Sequence, residues 1–255
     1  AELFEHAKNT GISIFSSPFD ETAVDLLEEL NAPAYKIASF ELTDLPLIEY
    51  VAKTKKPLLM STGMASEEEI REALSTAKAA GSEQILLFHC ISSYPAPIEQ
   101  ANLKQMLALK DKFEVVIGLS DHTIGNTAAI TATALGASAI EKHFTLSRKE
   151  EGPDSSFSIE PEELKDLISQ LNDAWNGLGS PSFVRPLAEK GSKVFRRSLY
   201  FVKDLKLGHV ITQNDIRRIR PGHGLAPKHY NELLGSTLSA NVHRGQPVDW
   251  DVINK

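Results

Sequence analysis

Through about residue 178 the chain alternates between two textures. Short apolar runs rich in β-branched residues are separated by longer stretches whose apolar positions recur three and four apart. The short runs are I-S-I-F-S-S (12–17), Y-K-I-A-S (35–39), P-L-L-M-S-T (57–62), Ile85–His89, Val115–Leu119 and Ala139–Ile140, and each predicts a buried strand. The stretches between them predict helices over Glu21–Leu30, Leu45–Lys53, Ser66–Ala80, Leu103–Lys110 and Thr127–Gly136, with a last one over Pro161–Trp175. Ser66 and Glu69 have the spacing of a capping box, a structural role. Ala1–Gly11 reads as the final turns of an amphipathic helix stopped by Gly11.

Serial strand-helix units give a parallel sheet, and right-handed crossovers allow either an open doubly wound sheet or a closed barrel. Polar residues stand at the carboxyl end of nearly every strand: Ser17, Lys36 with Ser39 and Glu41, Ser61 with Thr62, His89, Ser120 with His122, and Lys142 with His143. A ring of functional groups on one face is the barrel arrangement. Such a barrel needs about eight units, and the pattern shows six behind a start in mid-helix. The expectation is an α/β (β/α)₈ TIM-type barrel over residues 1–178 that lacks its first two units.

Residues 179–196, entered through N-G-L-G-S-P-S (176–182), read as a linker, and 197–255 turns to short strands and turns with little helix. In that last part Leu205–Ile216 and Val242–Ile253 share the scheme x-x-x-G-x-x-V/I-x-x-x-x-I, with Gly208 and Gly245 in register. Two copies are too few for a solenoid and predict a small pseudo-symmetric β domain.

Composition narrows the function classes. Hydrophobic content of 42% and charged content of 24% are those of a water-soluble globular chain. A formal net charge of −7 argues against nucleic acid or an anionic membrane as the main partner, although Arg217, Arg218 and Arg220 form a local basic cluster. One cysteine, Cys90, excludes an internal disulfide and points to a reducing, cytoplasmic setting. No apolar run approaches the ~20 residues of a membrane span.

The chemistry concentrates between Val115 and Thr145, where V-V-I-G-L-S-D-H-T ends at His122 and A-I-E-K-H-F-T places His143 one unit later. Two imidazoles at equivalent strand ends can converge on one metal ion or phosphate; either alone could equally be a hydrogen-bonded strand-end histidine. Lys36 with Ser17, Ser39, Ser61 and Ser120 suits a phosphate or carboxylate, the ammonium supplying charge and the hydroxyls donors. Lys36 could instead form a Schiff base with a carbonyl substrate. Glu41 and Asp154 are loop carboxylates for hydrogen bonds to a sugar or for proton transfer, and Glu41 could also be a helix N-terminal charge.

The motifs K-I-A-S-F-E, L-M-S-T-G-M, H-C-I-S-S-Y-P-A-P, G-L-S-D-H-T, E-K-H-F-T and G-P-D-S-S-F-S resemble those of the sialic acid synthase family. S-Y-P-A-P with I-R-P-G-H-G-L-A-P-K is most similar to its pseudaminic acid synthase branch. The resemblance implies a (β/α)₈ barrel followed by an antifreeze-like (SAF) domain. It further implies condensation of phosphoenolpyruvate with an N-acetylated amino sugar aldehyde, with release of phosphate by C–O cleavage. The expected cofactor is a divalent metal, usually Mn²⁺, with Mg²⁺ or Co²⁺ as alternatives.

Position by position, the resemblance assigns His122 and His143 to the metal and Ser17, Lys36, Ser39, Ser61, Ser92 and Ser120 to phosphoenolpyruvate. Glu41, Tyr94 and Asp154 are assigned to the sugar, with Glu41 and Lys36 as catalytic candidates. Arg220 is assigned to the partner's barrel in a domain-swapped homodimer. Two other readings stand beside this one, a Schiff-base aldolase using Lys36 and a non-catalytic metabolite-binding chain.

Overall fold

A computed structural model describes residues 1–254. The chain divides into two compact units, Ala1–Gly179 and Ser180 onward.

The first unit opens with helices α1 (Glu2–Thr10) and α2 (Glu21–Glu29), then alternates strand and helix: β1 Tyr35–Ile37, α3 Leu45–Ala52, β2 Leu58–Ser61, α4 Glu67–Ala79, β3 Ile85–Cys90, α5 Gln105–Phe113, β4 Val116–Asp121, α6 Thr127–Ala134, β5 Ile140–Lys142 and α7 Pro161–Leu178. The five strands form one parallel sheet in chain order, a partial TIM barrel. Strand side chains Tyr35, Ile37, Leu58, Met60, Leu87 and Ile117 pack against Val24, Leu47, Ile48, Val51, Leu74 and Leu109 of the helices in a continuous core. Truncating one such side chain, as in Leu74→Ala, removes about 2 to 5 kcal/mol. The capping box at Ser66 and Glu69 is present, so those residues serve the start of α4.

One predicted strand is corrected. Residues 12–17 form no ladder beyond a single parallel bridge from Ser16 to Tyr35, with the Lys36 N–H donating to the Ser16 carbonyl at 3.2 Å. Pro18 follows directly and has no N–H with which to extend the pairing. The remaining strands stand where the pattern places them, with ends moved by a residue or two.

Gly118 lies in mid-strand for a steric reason. A Cβ there would come within 2.7 Å of both the Ala139 carbonyl and the Phe88 ring. The bare backbone lets β4 and β5 close together beneath the ends that carry the two histidines.

In the second unit a 3-10 helix (Leu187–Phe195) precedes β6 (Ser198–Phe201) and β7 (Ile216–Ile219), which pair antiparallel. A short α8 (Tyr230–Leu233) leads to a second antiparallel pair, β8 (Thr237–Leu238) with β9 (Ile253–Asn254). The segment read as a linker thus holds a helix, docked by a hydrogen bond from the Gly222 N–H to the Val194 carbonyl at 2.7 Å. The repeated motifs meet each other: Leu205 and Val242 exchange backbone hydrogen bonds, and Gly208 and Gly245 both adopt left-handed φ of 83° and 88°. Asp215 knits this unit together, accepting from the Thr212 hydroxyl and N–H, His209 and Lys203 at 2.6 to 3.1 Å. Burial opposes its charge, but those donors outweigh it and hold the carboxyl well below the usual range.

Candidate functional site

The carboxyl ends of the parallel strands surround a cavity of about 360 Å³, lined by Ser17, Lys36, Ser39, Ser61, Tyr94, Ser120, His122, Lys142 and His143 together with Glu141. Parallel strands in register send equivalent side chains out of the same edge, so residues up to 126 positions apart in sequence converge here.

Lys36 is buried at the cavity floor, where its ammonium donates to Ser61 Oγ at 2.7 Å and pairs with Glu141 Oε1 at 3.3 Å. Glu141 also accepts from Ser120 Oγ at 2.7 Å. One carboxylate therefore aims both a cation and a hydroxyl. Both contacts use the lysine as a donor, which suits holding an anion better than attacking a carbonyl.

A second cluster lies beside the first. Ser39 Oγ accepts from the Gly63 N–H at 3.2 Å and stands 3.1 Å from Cys90 Sγ. A Cβ on Gly63 would fall 2.2 Å from Ser92 Oγ and 2.8 Å from both Ser39 Oγ and Cys90 Sγ. The glycine thus makes room for three polar side chains around its own backbone. Ser92 Oγ and Glu41 Oε2 are buried with no hydrogen-bond partner, leaving both available to a ligand.

The two histidines face each other with ring centroids 5.3 Å apart at 62°. His122 Nδ1 lies 2.8 Å from the Ile91 carbonyl, which can only accept, so Nδ1 carries the proton and Nε2 offers a lone pair. Burial holds the ring's pKa below the ordinary histidine value against that carbonyl bond, with His143 also lowering it, and keeps it neutral. Asp154 brings a carboxylate oxygen 3.4 Å from His143 Nδ1. Tyr94 stacks at 4.4 Å from His122 and 5.8 Å from His143, and Phe157 lies 5.0 Å from His143.

Among the described residues, no group of three or more His, Cys, Asp and Glu side chains surrounds a single point. The pair nevertheless fits a divalent ion. An ion about 2.1 Å from each imidazole nitrogen sits about 3.2 Å from each ring centroid, so two rings on one ion stand roughly 5 Å apart. The two imidazoles, His122 with Nδ1 on the Ile91 carbonyl and His143 with Nδ1 beside Asp154, each leave Nε2 for such an ion, and the remaining positions would fall to oxygen ligands.

The structure thus brings together ten of the predicted residues at or beside one cavity: Ser17, Lys36, Ser39, Ser61, Ser92, Tyr94, Ser120, His122, His143 and Asp154. Glu41 ends the 3-10 turn Ser39–Glu41 that begins at the Ser39 cluster. Arg220 belongs to the second unit, on the turn after β7. Glu141 was missed by sequence reasoning. The signal available was the register-matched pair Ser120 and Glu141, visible only once β4 and β5 are known to be neighbours.

Comparison with known proteins follows the same division. The NeuB family profile matches residues 1–182, and the SAF domain profile matches residues 196–253. The chain is 43% identical to the pseudaminic acid synthase of Helicobacter pylori over 100% of its own length and 75% of that protein's. It is 41% identical to the N,N'-diacetyllegionaminic acid synthase of Campylobacter jejuni, over 94% of this chain and 73% of the relative. Among solved structures, the N-acetylneuraminic acid (sialic acid) synthetase of Leptospira borgpetersenii, crystallised with citrate, superposes with a TM-score of 0.71 at 35% identity. That match covers 75% of this chain and 67% of the other.

Proposed function

The chain belongs to the NeuB family, the phosphoenolpyruvate-condensing nonulosonic acid synthases, and from that premise we propose that its product is pseudaminic acid. The acceptor is then an N-acetylated amino sugar in its open-chain aldehyde form. The observation that carries the site assignment is the convergence of Lys36, four serine hydroxyls and the facing His122–His143 pair on one cavity.

In this reading Lys36, held by Glu141, takes the phosphate or carboxylate of phosphoenolpyruvate, with Ser17, Ser39, Ser61 and Ser120 as hydroxyl donors. The orphaned Ser92 Oγ supplies a further donor. Donors fixed before the substrate arrives matter most where charge moves, here the carboxylate and the departing phosphate. His122 and His143 would hold the divalent ion, Mn²⁺ by preference, which supplies Lewis acidity to the aldehyde oxygen. Tyr94 and Asp154 border the histidines and would contact the sugar, while Glu41 Oε2 is free to accept or return a proton. C3 of phosphoenolpyruvate adds to the aldehyde carbon, water adds at C2, and the C2–O bond to phosphate breaks.

A second copy enters through charge. Residues 1–179 carry 14 Lys and Arg against 28 Asp and Glu, whereas residues 180–255 carry 13 against 6. A basic small domain attracted to an acidic barrel supports a domain-swapped homodimer in which Arg220 serves the partner's site. The pseudaminic and legionaminic relatives are almost equally similar, so the acceptor is the point to test. Phosphate release should be measured with phosphoenolpyruvate, Mn²⁺ and each of the two acceptor sugars, with the product identified by mass. Higher kcat/KM with the pseudaminic acceptor is the expected result; preference for the legionaminic one would reassign the product and leave the family reaction standing.

A further inference from the structure

Each of the two histidines follows a residue of opposite charge, in the order Asp121–His122 and Lys142–His143. Those charged residues are register partners across β4 and β5. Their side chains are 1% and 6% exposed, and Lys142 Nζ donates to Asp121 Oδ2 at 2.8 Å. Every bond of the pair closes on the same short segment. Asp121 Oδ1 accepts from the Thr123 N–H at 2.9 Å and its hydroxyl at 2.8 Å, and Lys142 donates also to the Thr123 carbonyl at 2.7 Å. The residues on both sides of His122 are thereby pinned to the residue directly before His143.

Lys142 borders the same cavity as the histidines, but its ammonium is turned to Asp121, which does not line it. Ser120 with Glu141, one position before the pair, lines the cavity, as do His122 and His143, one position after. A buried ion pair is not needed to hold two strands together, since an apolar pair of similar volume often stabilises as well. Charges with fixed directional bonds do something an apolar pair cannot, which is to set one register and one spacing.

We propose that the Asp121–Lys142 pair, braced by Thr123, is a positioning device that sets the separation of His122 and His143 for a divalent ion. The inference rests on the metal reading of those histidines and deepens it. In this assignment both act through the imidazoles; the Lys142 ammonium, although at the cavity's border, is taken up by Asp121 and the Thr123 carbonyl.

The test measures Mn²⁺ affinity of the full chain by electron paramagnetic resonance of the free ion, alongside thermal unfolding. The proteins compared are the parent chain and its Asp121→Asn, Lys142→Met, Thr123→Val, His143→Ala and Leu74→Ala variants. Loss of a partner that orients a metal ligand typically weakens affinity about 10- to 100-fold, the change expected for Asp121→Asn and Lys142→Met. Thr123→Val removes one hydroxyl bond to Asp121 without burying an unpaired charge and should weaken Mn²⁺ several-fold; it decides the matter if the other two fail to fold. Leu74→Ala cuts the same barrel core away from the site and should lose stability while keeping affinity. Parental affinity in a folded Asp121→Asn or in Thr123→Val overturns the proposal, as does an equal loss in Leu74→Ala. Unchanged affinity in His143→Ala would instead overturn the metal reading itself.

Discussion

Replacing Lys36 by methionine keeps most of the length and the apolar character of the side-chain stem and deletes its charge. The fold should tolerate the change. The ammonium's carboxylate partner, Glu141, is 39% exposed in its side chain and keeps Ser120 as a donor, so no buried charge is stranded. Water can take the ammonium's place at Glu141, so the loss should lie nearer the ~1 kcal/mol of an exposed pair than the ~3 to 5 kcal/mol of a buried one. Binding should not tolerate it. A charge-assisted contact to an anionic substrate contributes about 1.5 to 3 kcal/mol, which corresponds to roughly a 10- to 150-fold weaker affinity for phosphoenolpyruvate. Calorimetric titration of Lys36→Met with phosphoenolpyruvate, set beside its thermal transition, reads both quantities. Near-parental phosphoenolpyruvate affinity in a folded variant would refute the assignment of Lys36 to the anion. Borohydride trapping with pyruvate then separates the aldolase alternative, because only a Schiff base leaves a permanent adduct on the parent chain.

Three further outcomes are expected. Gly63→Ala places a methyl against Ser92, Ser39 and Cys90, so it should cost about 1 to 3 kcal/mol of stability and raise KM for phosphoenolpyruvate, measured by phosphate release; a silent substitution would place that cluster outside the substrate path. Arg220→Ala should weaken use of the sugar roughly 10- to 100-fold with phosphoenolpyruvate affinity unchanged. Heterodimers of Arg220→Ala with His122→Ala subunits should regain about half the parental activity, because one site then carries both defects and the other neither. Asp215→Asn should destabilise the small domain by about 1.5 to 3 kcal/mol at neutral pH. Because the folded-state pKa of Asp215 is depressed, its stabilisation is present above the unfolded value of about 4 and fades as the pH falls below it. The stability gap between the parent and Asp215→Asn, from denaturant titrations at several pH values, should therefore narrow in acid; a gap independent of pH would mean that the charge of Asp215 is not what stabilises.

Much of the site was legible because a parallel sheet converts sequence position into place. Any polar residue just after an apolar β-branched run reaches the same edge, and Lys36, Ser61, Ser120, His122 and His143 follow that rule. What could not be read depends on pairing between strands. Glu141 sits inside the strand motif E-K-H and gains its role only through register with Ser120 and proximity to Lys36. The Asp121–Lys142 pair was invisible for the same reason. The run over residues 12–17 has the composition of a strand, and composition says nothing of whether a neighbour lies on each side to complete a ladder. The 3-10 helix in the linker was missed because Pro186 and Gly191 read as chain breakers, while its docking bond to Gly222 is made by backbone.

The most direct measurement is the stoichiometry of turnover in the full chain and in His143→Ala. Phosphoenolpyruvate, an N-acetylated amino sugar acceptor and Mn²⁺ are supplied together, and phosphate and nonulosonic acid are quantified in the same reaction. If His122 and His143 hold the ion beside the phosphoenolpyruvate pocket, the parent releases one phosphate per nonulosonic acid formed, loses activity on chelation, and recovers it with Mn²⁺. His143→Ala, folded by circular dichroism, then makes neither product at any Mn²⁺ concentration that saturates the parent. Equal turnover by His143→Ala would contradict the assignment of this cavity as the condensation site.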